Sequence, residues 1–257
     1  MLTGILGAMV EEVSLLQRDL EGARAEVIGG RTYHTGTLYG QDVVLAFSGW
    51  GKVASASTVT TLIERFSAGQ IIFSGVAGAA SPGLRIGDVV IGQEFVQHDL
   101  DARPLFKQFE VPLVGLTRFN ADPVLRQQLL VAASAFVAEG LAADVSADTR
   151  SAFSITTPRV TAGLIASGDQ FINDAQILAA IGRALPGLMC VEMEGAAAAQ
   201  VCHSFGVPLG VIRVISDQAD HKAGIDFAKF IALVASHYSR GIIRQMFTAS
   251  VAGPGGK

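Results

Sequence analysis

"MCVEMEGAAAAQ", residues 189–200, is a short apolar run that ends in two carboxylates and passes at once into alanines. An apolar strand, acids at its carboxyl end and a helix directly after it make the repeating unit of an α/β fold. The alanines suit the helix, because Ala has the highest helix propensity and its small side chain allows close packing. The acids do not suit a core, since a buried ionised carboxylate costs several kcal/mol unless something pairs with it. Glu192 and Glu194 therefore need partners or ligands.

The same unit recurs along the chain. Leu2–Ala8, Val43–Phe47, Gln70–Gly75, Asp88–Val96, Val160–Ala166 and Leu209–Ile215 are predicted strands, several too continuously apolar to have a wet face. Helical periods fall between them, over Glu11–Leu20, Lys52–Phe66, Pro123–Glu139, Asp174–Ala184, Glu194–Phe205 and Phe227–Met246. This alternation predicts a mainly parallel or mixed sheet covered by helices. The stretch His98–Asn120 breaks the pattern with two prolines, three phenylalanines and no clear period, as a long functional loop does. The expected domain spans residues 1–247, and residues 248–257, "TASVAGPGGK", form an expected flexible tail.

Ligands of open α/β sheets bind beyond the carboxyl ends of the strands. There the chain offers "GAMVEE", "SGWGK", "SGVAGAASPG", "SGDQFIN", "EMEG" and "SDQAD". These segments are rich in carboxylates and small residues and poor in cations, so the predicted site is acidic.

The chain has 257 residues, enough for one large α/β domain or two small ones. Half the residues are hydrophobic and 16% are charged, which supplies a large core. The net charge of −4, without a basic run, argues against nucleic-acid or anionic-membrane partners and for small neutral or cationic ligands. Cys190 and Cys202 have no CxxC partner and no His cluster beside them, as expected of core thiols in a reducing compartment. The N-terminus lacks a basic leader, and no unbroken apolar run approaches membrane-spanning length. The expectation is a soluble cytoplasmic protein.

Single motifs leave alternatives open. Glu11 and Glu12 begin a helix, where acids in the first turn offset the helix dipole. "SGVAGAASPG" could cradle phosphate through backbone N–H groups, but it has no Lys and reads equally as a turn. In "VIRVISD", Arg213 lies inside a buried strand and Asp217 just beyond its end. A buried guanidinium is retained when acids satisfy its fork, and the "EMEG" carboxylates are the candidates.

Taken in order, "GAMVEEV", "SGWGKV", "GVAGAA", "IASGDQFIN", "VEMEGAAAAQVC" and "VIRVISDQAD" resemble the 5′-methylthioadenosine/S-adenosylhomocysteine nucleosidases of the purine nucleoside phosphorylase superfamily. The resemblance implies a three-layer α/β/α sandwich with a central mixed sheet, a homodimer, and catalysis without metal or cofactor. It implies that Glu12 is the general base for water and that Asp217, beside Ser216, protonates N7 of the departing adenine. Glu194 would hold the ribose hydroxyls with Met193 along the sugar, and Glu192 would pair with Arg213. Phe171 would stack on adenine, and the backbone of Ile172 would read the purine edge. Met9, Trp50 and Phe227 would wall the 5′-substituent pocket. Ala102, Leu105, Phe106 and Pro112 would reach into the partner subunit's pocket. Trp50 departs from the smaller aliphatic residue of other members. Val76 stands where some members carry Ser, a variant shared with the subgroup that cleaves 6-amino-6-deoxyfutalosine for menaquinone synthesis.

N-glycosidic cleavage builds positive charge on the sugar and negative charge on the base, so acids near the sugar and a proton donor at N7 suit it. A phosphorylase on this fold would need cations for phosphate, whereas the first loop offers Val10, Glu11 and Glu12. Hydrolysis of methylthioadenosine and adenosylhomocysteine is therefore the expected activity. The rivals are aminodeoxyfutalosine as main substrate, a phosphorylase, and a nucleoside-binding module without turnover.

Overall fold

A computed structural model describes residues 1–221 and 223–251, with the backbone alone for residues 225, 250 and 251. Its strands are β1 (Thr3–Gly7), β2 (Glu21–Ile28), β3 (Arg31–Leu38), β4 (Gln41–Phe47), β5 (Gln70–Ala79), β6 (Val89–Gln97), β7 (Phe119–Asn120), β8 (Val160–Ser167), β9 (Leu188–Glu192) and β10 (Leu209–Asp217). The α-helices are α1 (Val10–Arg18), α2 (Lys52–Glu64), α3 (Pro123–Ala135), α4 (Leu141–Asp144), α5 (Ala147–Ala152), α6 (Ala175–Ala184), α7 (Gly195–Phe205), α8 (Ala223–Phe230) and α9 (Ser236–Val251). Phe136–Gly140 and Ile231–Ala235 are π-helical turns.

The sheet is mixed and central. β1 pairs in parallel with β4 and β5, and β5 with β10. Alternate residues feed opposite layers: Ile5, Ile72 and Ile212 pack towards α1, α3 and α9, whereas Leu6, Phe73 and Val211 pack towards α2 and α7. That alternation is why these strands are apolar throughout, as expected of a sheet buried on both faces. One end of the sheet closes on itself, because β10 joins both β5 and β6 while β9 joins both β5 and β8. The carboxyl ends of β1, β5 and β10 therefore meet over one cleft.

Several boundaries differ from expectation. β5 continues through "GVAGA" to Ala79 rather than turning after Gly75, and its pairing with β10 carries it on. The hairpin β2–β3 was not expected; it turns at Gly29 and Gly30 and extends the sheet beyond β4, with which β3 pairs antiparallel. The expected helices over 123–139 and 227–246 are each interrupted by a π-helical turn. Pro123–Asp144 is, by length and composition, apolar enough to cross a membrane, although the sequence shows no unbroken apolar run of that length. The discrepancy arises because Arg126, Gln127, Gln128 and Glu139 interrupt it. Its Leu125, Leu129, Ala132, Ala133 and Phe136 are buried in the core with α9. Helix α9 runs into the expected tail as far as Val251, and residues 252–257 lie outside the described residues.

Candidate active site

Glu11 and Glu12 share the first turn of α1, but Glu11 faces solvent while Glu12 is buried. Glu12 Oε2 accepts from the N–H groups of Ala8, at 2.6 Å, and Met9, at 2.9 Å. Its Oε1 accepts from the Val76 N–H at 3.0 Å. The glycine-rich segment thus holds a carboxylate. Gly75 makes this possible, since a Cβ there would stand 2.8 Å from Glu12 Oε1 and 3.1 Å from Arg213 Nη1. Burial raises the Glu12 pKa, against the lowering effects of Arg213 and the three backbone donors.

Asp217 closes β10. Its Oδ2 accepts from the Ser216 hydroxyl at 2.7 Å and its Oδ1 from the Ala219 N–H at 2.8 Å. Burial raises its pKa too, with Asp226 and Asp220 adding in the same direction. A carboxyl group so placed retains its proton to higher pH than usual, as a proton donor must.

The two acids of the opening motif have different surroundings. Glu192 ends β9 and turns its carboxylate to the start of α7, where it accepts from the N–H groups of Glu194 and Gly195, from the Ser167 hydroxyl and from the Arg213 fork. Arg213 also lies over the Phe73 ring, 4.3 Å from its centroid. Glu192 is therefore fully engaged. Glu194 receives the Gly51 N–H on Oε1 at 2.8 Å and faces the cleft. Burial, then the charge of Glu192, raises its pKa.

The cleft is concave and opens to solvent, as a small-molecule site does. Met9, Glu12, Trp50, Val76, Phe171, Ile172, Glu192, Met193, Glu194, Ser216, Asp217 and Phe227 all line it. Three of its rings form a chain of edge-to-face contacts, Trp50 to Phe227 at 5.9 Å and Phe227 to Phe171 at 5.5 Å. Among the described residues, no Lys, Arg or His lines it. Ala102, Leu105, Phe106 and Pro112 do not reach it, and Leu105 is 84% exposed. Ala77, Gly78 and Gln170 also line the cleft without having been singled out in the sequence, as small or neutral side chains carry no chemical signature. The Gly51 N–H was likewise overlooked, although "SGWGK" already marked the end of a strand.

The phosphorylase superfamily model matches residues 3–247. A 5′-methylthioadenosine/S-adenosylhomocysteine nucleosidase of Geobacillus kaustophilus is 37% identical over 96% of this chain and 97% of its own. The nucleosidase of Neisseria meningitidis, in complex with methylthio-immucillin-A, is similar in structure, with a TM-score of 0.85 and 34% identity over 96% of this chain and 99% of that one. A futalosine hydrolase of Helicobacter pylori is also similar, with a TM-score of 0.81 and 29% identity over 96% and 97% of the two chains. The chain accordingly belongs to the phosphorylase superfamily and, within it, to the family of 5′-methylthioadenosine/S-adenosylhomocysteine nucleosidases.

Proposed function

We propose that the protein hydrolyses the N-glycosidic bond of 5′-methylthioadenosine and S-adenosylhomocysteine, releasing adenine and the 5′-thioribose product. The observation that carries this reading is a cleft that gathers Glu12, Glu194 and Asp217 and, among the described residues, presents no cationic side chain to a phosphate. An ionised Glu12 takes a proton from the attacking water, and its raised pKa makes it a better base than an ordinary carboxylate. Asp217 delivers its proton to N7 of the leaving adenine, so the base departs neutral. Glu194 accepts from the ribose hydroxyls beside Met193, while Phe171 stacks on the purine and the Ile172 backbone meets its edge. Met9, Trp50 and Phe227 enclose the 5′-substituent.

The similarity to a futalosine hydrolase favours a second reading, in which aminodeoxyfutalosine is the main substrate. Adenine release from the three nucleosides in phosphate-free buffer tests both. The highest kcat/KM on either thionucleoside supports the first reading, the highest on aminodeoxyfutalosine the second, and no release from any of them refutes both.

The loop around Ala102, Leu105, Phe106 and Pro112 is assigned to a homodimer in which each loop closes the other subunit's pocket. Exposure of Leu105 and Leu113, 84% and 96%, supports a surface that is covered on assembly. Sedimentation of the protein, with specific activity followed on dilution, tests this: a fully active monomer contradicts it. The cytoplasm is the proposed location, consistent with the two free, buried cysteines.

A further inference from the structure

Lys52, the first residue of α2, stands outside the cleft but joins three of the loops that build it. Its backbone N–H donates to Asp169 Oδ1 at 2.7 Å, and its ammonium donates to Asp99 Oδ1 at 2.6 Å and to Gln97 Oε1 at 3.2 Å. The Asp169 N–H then donates to Asp99 Oδ2 at 2.8 Å, which closes a ring of three residues from the ends of β4, β6 and β8. The approach is close: a Cβ on Gly51 would stand 2.8 Å from Asp169 Oδ1.

The ring lies between two parts of the site. On one side, Gly51 immediately precedes Lys52 and donates to Glu194, and Trp50 lines the cleft. On the other, Asp169 leads into Gln170, Phe171 and Ile172, which also line it. A third strut runs from Gln97 Nε2 to Gln200 Oε1 on α7, at 2.7 Å. Hydrogen bonds in which one or both partners are charged are stronger than neutral ones, so the ring fixes the relative position of its loops more firmly than their backbones alone.

We infer that Lys52, Asp99 and Asp169 form a positioning latch that couples the base-stacking loop, with Phe171 and Ile172, to the loop whose Gly51 N–H orients Glu194. None of the three touches the reacting atoms. The inference rests on the nucleosidase reading for its kinetic arm only.

The test compares Lys52→Met, Lys52→Arg, Asp99→Asn and the double variant Lys52→Met/Asp99→Asn. Two readouts are used: kcat and KM for methylthioadenosine, and acrylamide quenching of Trp50, the only tryptophan, in the free protein. Lys52→Met is expected to raise KM about tenfold, in line with the loss of a charged hydrogen bond, and to make Trp50 more quenchable. Lys52→Arg is expected to recover part of both losses, and the double variant to be little worse than either single one. Lowered thermal stability with unchanged KM and quenching overturns the proposal, as do losses that multiply in the double variant. Should Lys52→Met not fold, Asp99→Asn carries the same two readouts with the lysine in place. Failure of the parent protein to release adenine removes the nucleosidase reading, whereas unchanged Trp50 quenching removes the latch.

Discussion

Arg213 and Glu192 form a buried ion pair, Nη2 to Oε2 at 2.7 Å, with side chains only 1% and 3% exposed. Such a pair contributes little net stability against an apolar replacement, but removing one member leaves a charge in the core. Arg213→Met or Glu192→Gln is expected to cost about 3–5 kcal/mol, and the double variant less than the sum. Urea unfolding midpoints measure this; single variants as stable as the parent would mean that water reaches the pair.

Asp217→Asn separates catalysis from stability. The variant keeps the geometry, because Oδ1 can still accept from Ala219 and the amide can donate to Ser216. Adenine release is expected to fall by about 10²–10⁴-fold. Folding raises the Asp217 pKa, so the protonated form is favoured in the native state. That contribution is complete below the ordinary value near 3.8 and is lost as pH rises through the folded-state pKa. The Tm difference between Asn and Asp should therefore move in favour of Asn as pH rises above the ordinary carboxylate value. A constant difference would show that Asp217 does not titrate abnormally.

The roles proposed for Glu12 and Asp217 differ in what each acts upon. A ribosyl compound whose leaving group departs as a stable anion needs no proton from Asp217, but its sugar must still be attacked by water. Asp217→Asn is expected to retain much of its kcat/KM on such a compound, whereas Glu12→Gln loses activity on both this compound and methylthioadenosine. The reverse pattern would exchange the two roles.

Trp50 meets Phe227 edge to face at 5.9 Å on the wall of the cleft. Trp50→Ile is expected to change the kcat/KM ratio of methylthioadenosine to adenosylhomocysteine by about tenfold or more, since pocket contacts contribute about 1–3 kcal/mol to discrimination. An unchanged ratio would place the 5′-substituent elsewhere.

The cleft was legible in the sequence because strand ends concentrate chemistry: Glu12, Glu194 and Asp217 are acids where packing has no use for them. The β2–β3 hairpin was not, because β2 is exposed almost throughout and shows no alternation. Its Gly29–Gly30 turn, with both residues at positive φ, was the available signal. Closure of the sheet between β5 and β10 was also hidden, since pairing between distant strands leaves no local period. The same holds for the Lys52 ring, whose partners are 47 and 117 residues away in the chain.

Hydrolysis itself is tested most directly by cleaving methylthioadenosine in H₂¹⁸O, with and without phosphate, and weighing the sugar product. The cleft predicts methylthioribose carrying one ¹⁸O at its anomeric carbon in a single turnover, at a rate indifferent to phosphate. Release of adenine only when phosphate is present, with methylthioribose 1-phosphate as product, would contradict it.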